Sequence, residues 1–241
     1  MLKKRESLNI SCSTCNVGDL CLLRNLADEE KHEVDDLIKN VYVLEKGAHL
    51  YRDNEKLKNL YAIYSGCCKE YWLDSNGEEQ IVNFYFPGDI LALESIPFEK
   101  YSFTSVALIN SEVCAIPFEP LLDLMKTSKN LLRRFINITS YKMQNDQHIG
   151  MKTNAKQRIA DFLLNIIYRI TERKNFSGYI QLPMTQFDIS NFIGITHETV
   201  SRILHDFQHR KIIQIQNKVI YITDIDQLKE NSKQIANFGQ V

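Results

Sequence analysis

Four cysteines are the residues of this chain whose type and spacing could do chemistry. Cys12, Cys15 and Cys21 form a C-x2-C-x5-C run close to the N-terminus, and Cys114 stands far along the chain. Thiolates are the soft ligands that iron-sulfur clusters and zinc accept, and a two-residue gap lets neighbouring sulfurs point into one site. The set suits a shared metal or iron-sulfur centre that ties the N-terminal segment to the domain behind it. Spacing by itself leaves zinc, a disulfide pair or an unrelated dithiol open. Cys67 and Cys68 follow Gly66 in a predicted strand, where one of the pair must face inward, and they read as small packing residues.

A second group lies near the C-terminus. Thr196 is a plausible N-cap, and from it His197, Glu198, Ser201 and Arg202 fall along one exposed stripe of a helix, while Val200, Ile203, Leu204 and Phe207 face inward. Such a stripe offers Arg202 as a bidentate donor to guanine, Glu198 as an acceptor from cytosine and Ser201 as an adaptable contact. His209, Arg210 and Lys211 at the end of that helix suit phosphate contacts, which position without specifying. A surface helix with ordinary solvated charges would show the same residues.

The elements that must hold these groups are legible from periodicity. Asp28 to Asn40 reads as a short helix. From about Val41 to Pro117 short strands alternate with turns at Lys46-Gly47, Ser65-Gly66, Asn76-Gly77 and Pro87-Gly88-Asp89, which suits an antiparallel roll. Beyond Pro117, apolar residues recur at three and four, predicting one long helix to about Gly150. A long helix beside a roll has an apolar seam to bury, and a second copy of itself is the economical partner. Ile136 and Met143 lie on that seam, and continuing along it reaches Asp146. In a symmetric dimer two Asp146 carboxylates about 6 Å apart would repel by roughly 3 kcal/mol, enough to hold assembly near its balance point. Ala155 to Lys174 forms an amphipathic helix, followed by a strand over 179–182. Two compact helices, Thr185 to Phe192 and Thr196 to Arg210, flank a turn containing Gly194, and a two-stranded wing follows between Lys211 and Thr223. Two short helices with a glycine turn and a trailing hairpin make a winged helix-turn-helix.

Bulk properties exclude several classes. The chain has 241 residues of which 44% are hydrophobic, enough for a real core in one large domain or two ordinary ones. With 29 basic and 30 acidic residues its formal net charge is -1, so any DNA-binding surface must be a local patch. No run approaches the roughly 18 apolar residues of a membrane span, so we expect a cytoplasmic protein with no membrane contact, in a compartment that keeps thiols reduced. No second constellation of acid, base and nucleophile accompanies the cysteines, which argues against an iron-sulfur enzyme.

The chain resembles the cyclic-AMP receptor protein superfamily over essentially its whole length, and within it the oxygen-sensing fumarate and nitrate reduction (FNR) regulators. The resemblance rests on Cys12-x2-Cys15-x5-Cys21, Leu60-Tyr61-Ala62-Ile63-Tyr64-Ser65-Gly66, Val113-Cys114-Ala115-Ile116-Pro117-Phe118 and Glu198-Thr199-Val200-Ser201-Arg202. It implies an α+β fold in four parts: a cysteine-rich segment (1–27), a β-roll sensory domain (28–117), a dimerisation helix with hinge (118–152) and a winged helix-turn-helix DNA-binding domain (153–241). It further implies that Cys12, Cys15, Cys21 and Cys114 hold a [4Fe-4S] cluster, that the cluster-bearing form is a homodimer bound to double-stranded DNA at TTGAT-like half-sites, and that oxygen releases it. Glu198, Ser201 and Arg202 match the family's base-reading positions. His197 stands where the cyclic-AMP receptor has an arginine and FNR proteins an apolar residue, which leaves the outermost base open. The linker 148–153 is a few residues shorter than the family pattern. The loop Leu73 to Glu79 resembles a surface that contacts RNA polymerase. Cyclic-nucleotide pockets hold the phosphate with an arginine beside a small hydroxyl residue. The corresponding stretch Phe98 to Thr104 has Lys100 and no arginine, so no cyclic-nucleotide response is expected. A thiol-disulfide switch without a cluster is the alternative sensor.

Overall fold

A computed structural model describes residues 3–4, 12, 15, 17, 21–22, 26–38, 40–149, 154–171, 178–216 and 219–232. The chain divides into two units, 1–143 and 144–241.

In the first unit, turn residues cut the chain into short strands. They are β1 (Lys3–Lys4), β2 (Asn40–Leu44), β3 (His49–Tyr51), β4 (Asn59–Ser65), β5 (Cys68–Leu73), β6 (Glu79–Tyr85), β7 (Ile90–Leu91), β8 (Thr104–Ala107) and β9 (Ser111–Pro117). A helix, α1 (Asp28–Leu37), precedes β2, and a short 3-10 helix (Leu93–Phe98) follows β7. The strands form two antiparallel sheets, ordered β1-β2-β9-β4-β7 and β3-β8-β5-β6, the expected roll. Leu44, Leu60, Ile63, Leu91, Val113 and Ile116 fill its core and are essentially inaccessible.

Two turns show why the chain folds this way. Asp74 closes the β5–β6 hairpin by accepting the N–H groups of Asn76 (2.9 Å) and Glu78 (3.0 Å), and Gly77 supplies the left-handed residue at φ 78°. Gly66 lies where the chain crosses from one sheet to the other, at φ 91°. A Cβ there would collide with the backbone and side chain of Ser111. At this crossing Cys67 and Cys68 are both buried, as packing residues should be, because strict alternation fails here. Cys67 sits in the corner, where its N–H donates to Ser111 Oγ (3.0 Å), and Cys68 starts β5 inside the roll.

The long helix predicted from Pro117 to Gly150 is two helices, α2 (Phe118–Thr127) and α3 (Lys129–Ile149). Ser128 between them is extended (φ -102°, ψ 104°), and its hydroxyl accepts the Leu131 N–H (3.1 Å) while donating to Glu30 of α1 (2.6 Å). A serine cap in place of helix continuation makes the break. On α3, Leu131 is buried and Phe135 and Ile138 pack on the core. Leu132, Ile136 and Met143 are 42%, 52% and 65% exposed.

The second unit opens with α4 (Ala155–Thr171), whose Ile159, Leu163, Ile166 and Ile167 are buried. Then come β10 (Tyr179–Gln181), α5 (Gln186–Ile193), α6 (His197–His209), β11 (Ile213–Gln216), β12 (Val219–Ile222) and α7 (Ile225–Glu230). The wing carries a third strand, because β10 pairs with β12 in the order β10-β12-β11. The last helix was not expected, although Asp224 caps it through the Gln227 N–H (2.9 Å). Among the described residues no helix is long and apolar enough to cross a membrane.

Candidate functional site

Cys114 lies in β9, a central strand, opposite Val41 of β2 and Ala62 of β4. Cys12, Cys15 and Cys21 come to it from the N-terminal segment. Cys12 and Cys15 are half-buried, and Cys21 and Cys114 are buried. Two anchors hold this segment. The Cys12 N–H donates to Asp35 Oδ1 of α1 at 2.6 Å, and Arg134 of α3 donates two bonds, from Nε (3.1 Å) and Nη2 (2.9 Å), to the Cys21 carbonyl. Neither anchor was anticipated, since an aspartate or arginine on a helix normally reads as solvated.

The four thiols feel one another's charge. Burial is the largest influence on each of Cys12, Cys21 and Cys114; it pushes Cys21 up to about 11 and Cys114 up to about 12, and raises Cys12 well above the ordinary thiol. Neighbouring sulfurs add to this: Cys21 and Cys114 act on Cys12, Cys15 on Cys21, and both Cys15 and Cys21 on Cys114. The Leu22 N–H and the Arg134 guanidinium pull Cys21 the other way. The four sulfurs thus lie within electrostatic reach of one another. Among the described residues no group of three or more His, Cys, Asp and Glu side chains is arranged as a metal-ion site. The donor set fits an iron-sulfur cluster in kind, because it consists of soft sulfurs alone, supplied by two parts of the chain.

The second candidate surface is α6. Thr196 caps it by accepting the Thr199 N–H (3.3 Å), and Gly194, left-handed at φ 72°, ends α5 and makes the turn. Thr185 and Asp188 cap α5 reciprocally, and Arg158 of α4 braces the turn by donating to the Ile193 carbonyl (3.1 Å). Val200, Ile203, Leu204 and Phe207 are buried, which leaves His197, Glu198, Ser201 and Arg202 together on the exposed stripe. At the first turn of α6, a backbone N–H and the Thr196 hydroxyl hold the Glu198 carboxylate below its usual range, so it is a pure acceptor. His209, Arg210 and Lys211 are exposed at the far end. Ile136 and Met143 lie on the exposed face of α3, and the side chain of Asp146 is outside the described residues.

A β-roll, a long helix and a winged helix-turn-helix with an exposed polar stripe define a transcription regulator of the cyclic-AMP receptor protein class. Family models agree: a cyclic nucleotide-binding domain matches residues 42–128 and a Crp-like helix-turn-helix domain residues 157–231. The chain is 34% identical over 231 residues to the fumarate nitrate reduction regulatory protein of Klebsiella oxytoca, covering 95% of this chain and 92% of that one. It is also 34% identical to the fumarate and nitrate reduction regulatory protein of Escherichia coli, with coverage of 92% and 90%. The solved structure of FixK2 from Bradyrhizobium japonicum is similar at 25% identity and a TM-score of 0.72, over 81% of this chain and 98% of that one. The chain belongs to the fumarate and nitrate reduction regulator family. It is a DNA-binding regulator and not an enzyme.

Proposed function

We propose that this regulator senses oxygen through a [4Fe-4S] cluster held by Cys12, Cys15, Cys21 and Cys114, and that its cluster-bearing form is a cytoplasmic homodimer that reads TTGAT-like half-sites. The reading is supported by four cysteines within electrostatic reach of one another, three from the N-terminal segment and Cys114 in β9, with Arg134 of α3 gripping the Cys21 carbonyl. The cluster, when bound, supplies a centre that oxygen can oxidise and dismantle.

The chain's own residues do the rest. Each cysteine must lose its proton to become a ligand, so assembly releases protons against the pull of burial. Asp35 and Arg134 fix the backbone of the segment at Cys12 and Cys21, so a displacement of Cys21 pulls directly on α3. The exposed stripe Leu132, Ile136 and Met143, at spacings of four and seven, suits a second copy of the same helix. Asp146, further along, would place like charges at the axis and keep pairing conditional. A dimer presents two α6 helices, matching inverted half-sites. Arg202 and Glu198 read base edges, with Ser201 and His197 beside them, while Arg210 and Lys211 suit phosphates. Activation engages RNA polymerase through the β5–β6 hairpin, where Trp72 and Leu73 stand exposed at the tip. Tyr101 stacks on Tyr51 at 4.1 Å inside the roll, filling interior volume and leaving Lys100 as the segment's cation, which supports a roll unresponsive to cyclic nucleotides.

Iron and acid-labile sulfide analysis after anaerobic purification tests the sensor. A brown protein with about four irons per chain agrees with it. A colourless protein that binds DNA reversibly with thiol oxidation would favour a thiol-disulfide switch, and stoichiometric zinc would favour a structural site.

A further inference from the structure

The roll buries a polar network that no reading of the cysteines or of α6 uses. Glu70 of β5 is only 1% exposed, and both of its oxygens accept hydroxyl protons: Oε1 from Tyr51 of β3 and Oε2 from Tyr85 of β6 at 2.5 Å. Tyr85 in turn accepts a bond from Lys142 Nζ of α3 at 2.6 Å, and the same ammonium lies over the Tyr85 ring, 5.0 Å from its centre. Lys142 also pairs with Glu94 of the 3-10 helix, whose Oε1 is buried without a hydrogen-bond partner. The lysine side chain is 17% exposed. Two carboxyl groups, one buried and one partly buried, thus share this site with a single cation, and that cation comes from the long helix.

Lys142 lies eight residues beyond Arg134 and, at spacings of four, three and four, on the side of α3 that carries Leu131, Phe135 and Ile138. The helix is therefore held to the first unit at two places along its length, at the cysteine segment and at the roll interior. Ordinary apolar packing by Leu131, Phe135 and Ile138 lets a helix slide or roll by small amounts, whereas an ammonium seated between Tyr85 and Glu94 fixes both rotation and height.

We propose that Lys142 is a positioning residue: by docking α3 on the Tyr85–Glu94 site it sets the angle at which the exposed stripe meets a second copy, and so the strength of dimerisation. The inference rests on the reading of α3 as the dimer helix. The groups facing this site are Glu70, Tyr51 and Tyr85 from the sheet, Glu94 from the 3-10 helix and Lys142 itself. Burial, then Glu94, raises the Glu70 carboxyl to about 8, while Lys142 opposes that rise. By linkage, ionising Glu70 strengthens the hold on Lys142.

The test uses the full chain with its cysteines intact, with and without reconstituted iron and sulfide. Hydrogen exchange is measured along α3, and the dimer constant by sedimentation. Lys142→Met is expected to speed exchange of amides 136–143 at least tenfold and to weaken the dimer at least tenfold, with Lys142→Arg within threefold of wild type. In Lys142→Met the Glu70 titration, followed by carboxyl carbon resonance, moves upward. Because a partly buried Glu94 without its cation could unfold the roll, Lys142→Met/Glu94→Gln removes both charges; it should loosen α3 equally while β4 amides stay protected. Exchange or a dimer constant within twofold of wild type in both variants overturns the proposal. If wild type forms no dimer in either state, the dimer-helix reading fails, whatever the exchange rates report about Lys142. Iron content bears only on the cluster.

Discussion

At the scale of single residues, environment decides what each group can do. Arg202 and Glu198 stand on the exposed first turns of α6, and the helix N-terminus keeps Glu198 ionised. A bidentate arginine contact is worth about 1–3 kcal/mol of discrimination, so Arg202→Ala should lower affinity for a specific duplex roughly tenfold to a hundredfold and relax base preference at one position. Lys211→Ala should weaken binding evenly across sequences and flatten the salt dependence. Both are read by fluorescence anisotropy. Glu70 is the reverse case. Its carboxyl, raised from 4.5 to about 8 by burial first, keeps a proton that the unfolded chain gives up. The folded state thus binds more protons between these values, and raising the pH across that window lowers stability. Thermal melts from pH 5.5 to 8 should show the decline, and Glu70→Gln should flatten it. An unchanged slope in Glu70→Gln would assign the decline elsewhere.

At the scale of elements, caps and crossings set the register. Ser128 stops α2 and starts α3, so Ser128→Ala should cost about 1 kcal/mol through the lost cap and the lost bond to Glu30. Gly66→Ala meets a positive φ and the Ser111 backbone together, and should cost about 2–3 kcal/mol or more in denaturant titrations. The same elements mark what the sequence discloses. Thr185, Thr196 and Gly194 are legible because caps and left-handed turns act locally, within three or four residues. The roll was legible through its spaced glycines. The break at Ser128 was hidden because leucines at 124, 131 and 132 continue the helical period on both sides of it. The helix α7 did carry a signal, Asp224 with Gln227 three residues on, that went unread. Of the candidate site, the cysteines announced themselves by type. Arg134 and Lys142 did not, because their partners lie 113 and 48 residues away and nothing local distinguishes a buried cation from a solvated one.

At the scale of the whole molecule, one helix touches both the cysteine segment and the roll interior. Arg134 holds the Cys21 carbonyl, Lys142 holds the roll, and the exposed stripe between and beyond them awaits a second copy. Replacing Ile136 with a charged residue should leave the monomer folded, since that side chain is half exposed, yet abolish dimerisation and DNA binding together. A variant that remained dimeric would move the interface off α3. The most direct measurement of the central claim is an anaerobic gel shift with the reconstituted full chain on a duplex carrying inverted TTGAT half-sites, repeated after exposure to air. A retarded complex without oxygen, lost in air together with the brown colour, is the expected result. A complex that persists unchanged in air, or forms equally well with the colourless chain, would contradict it.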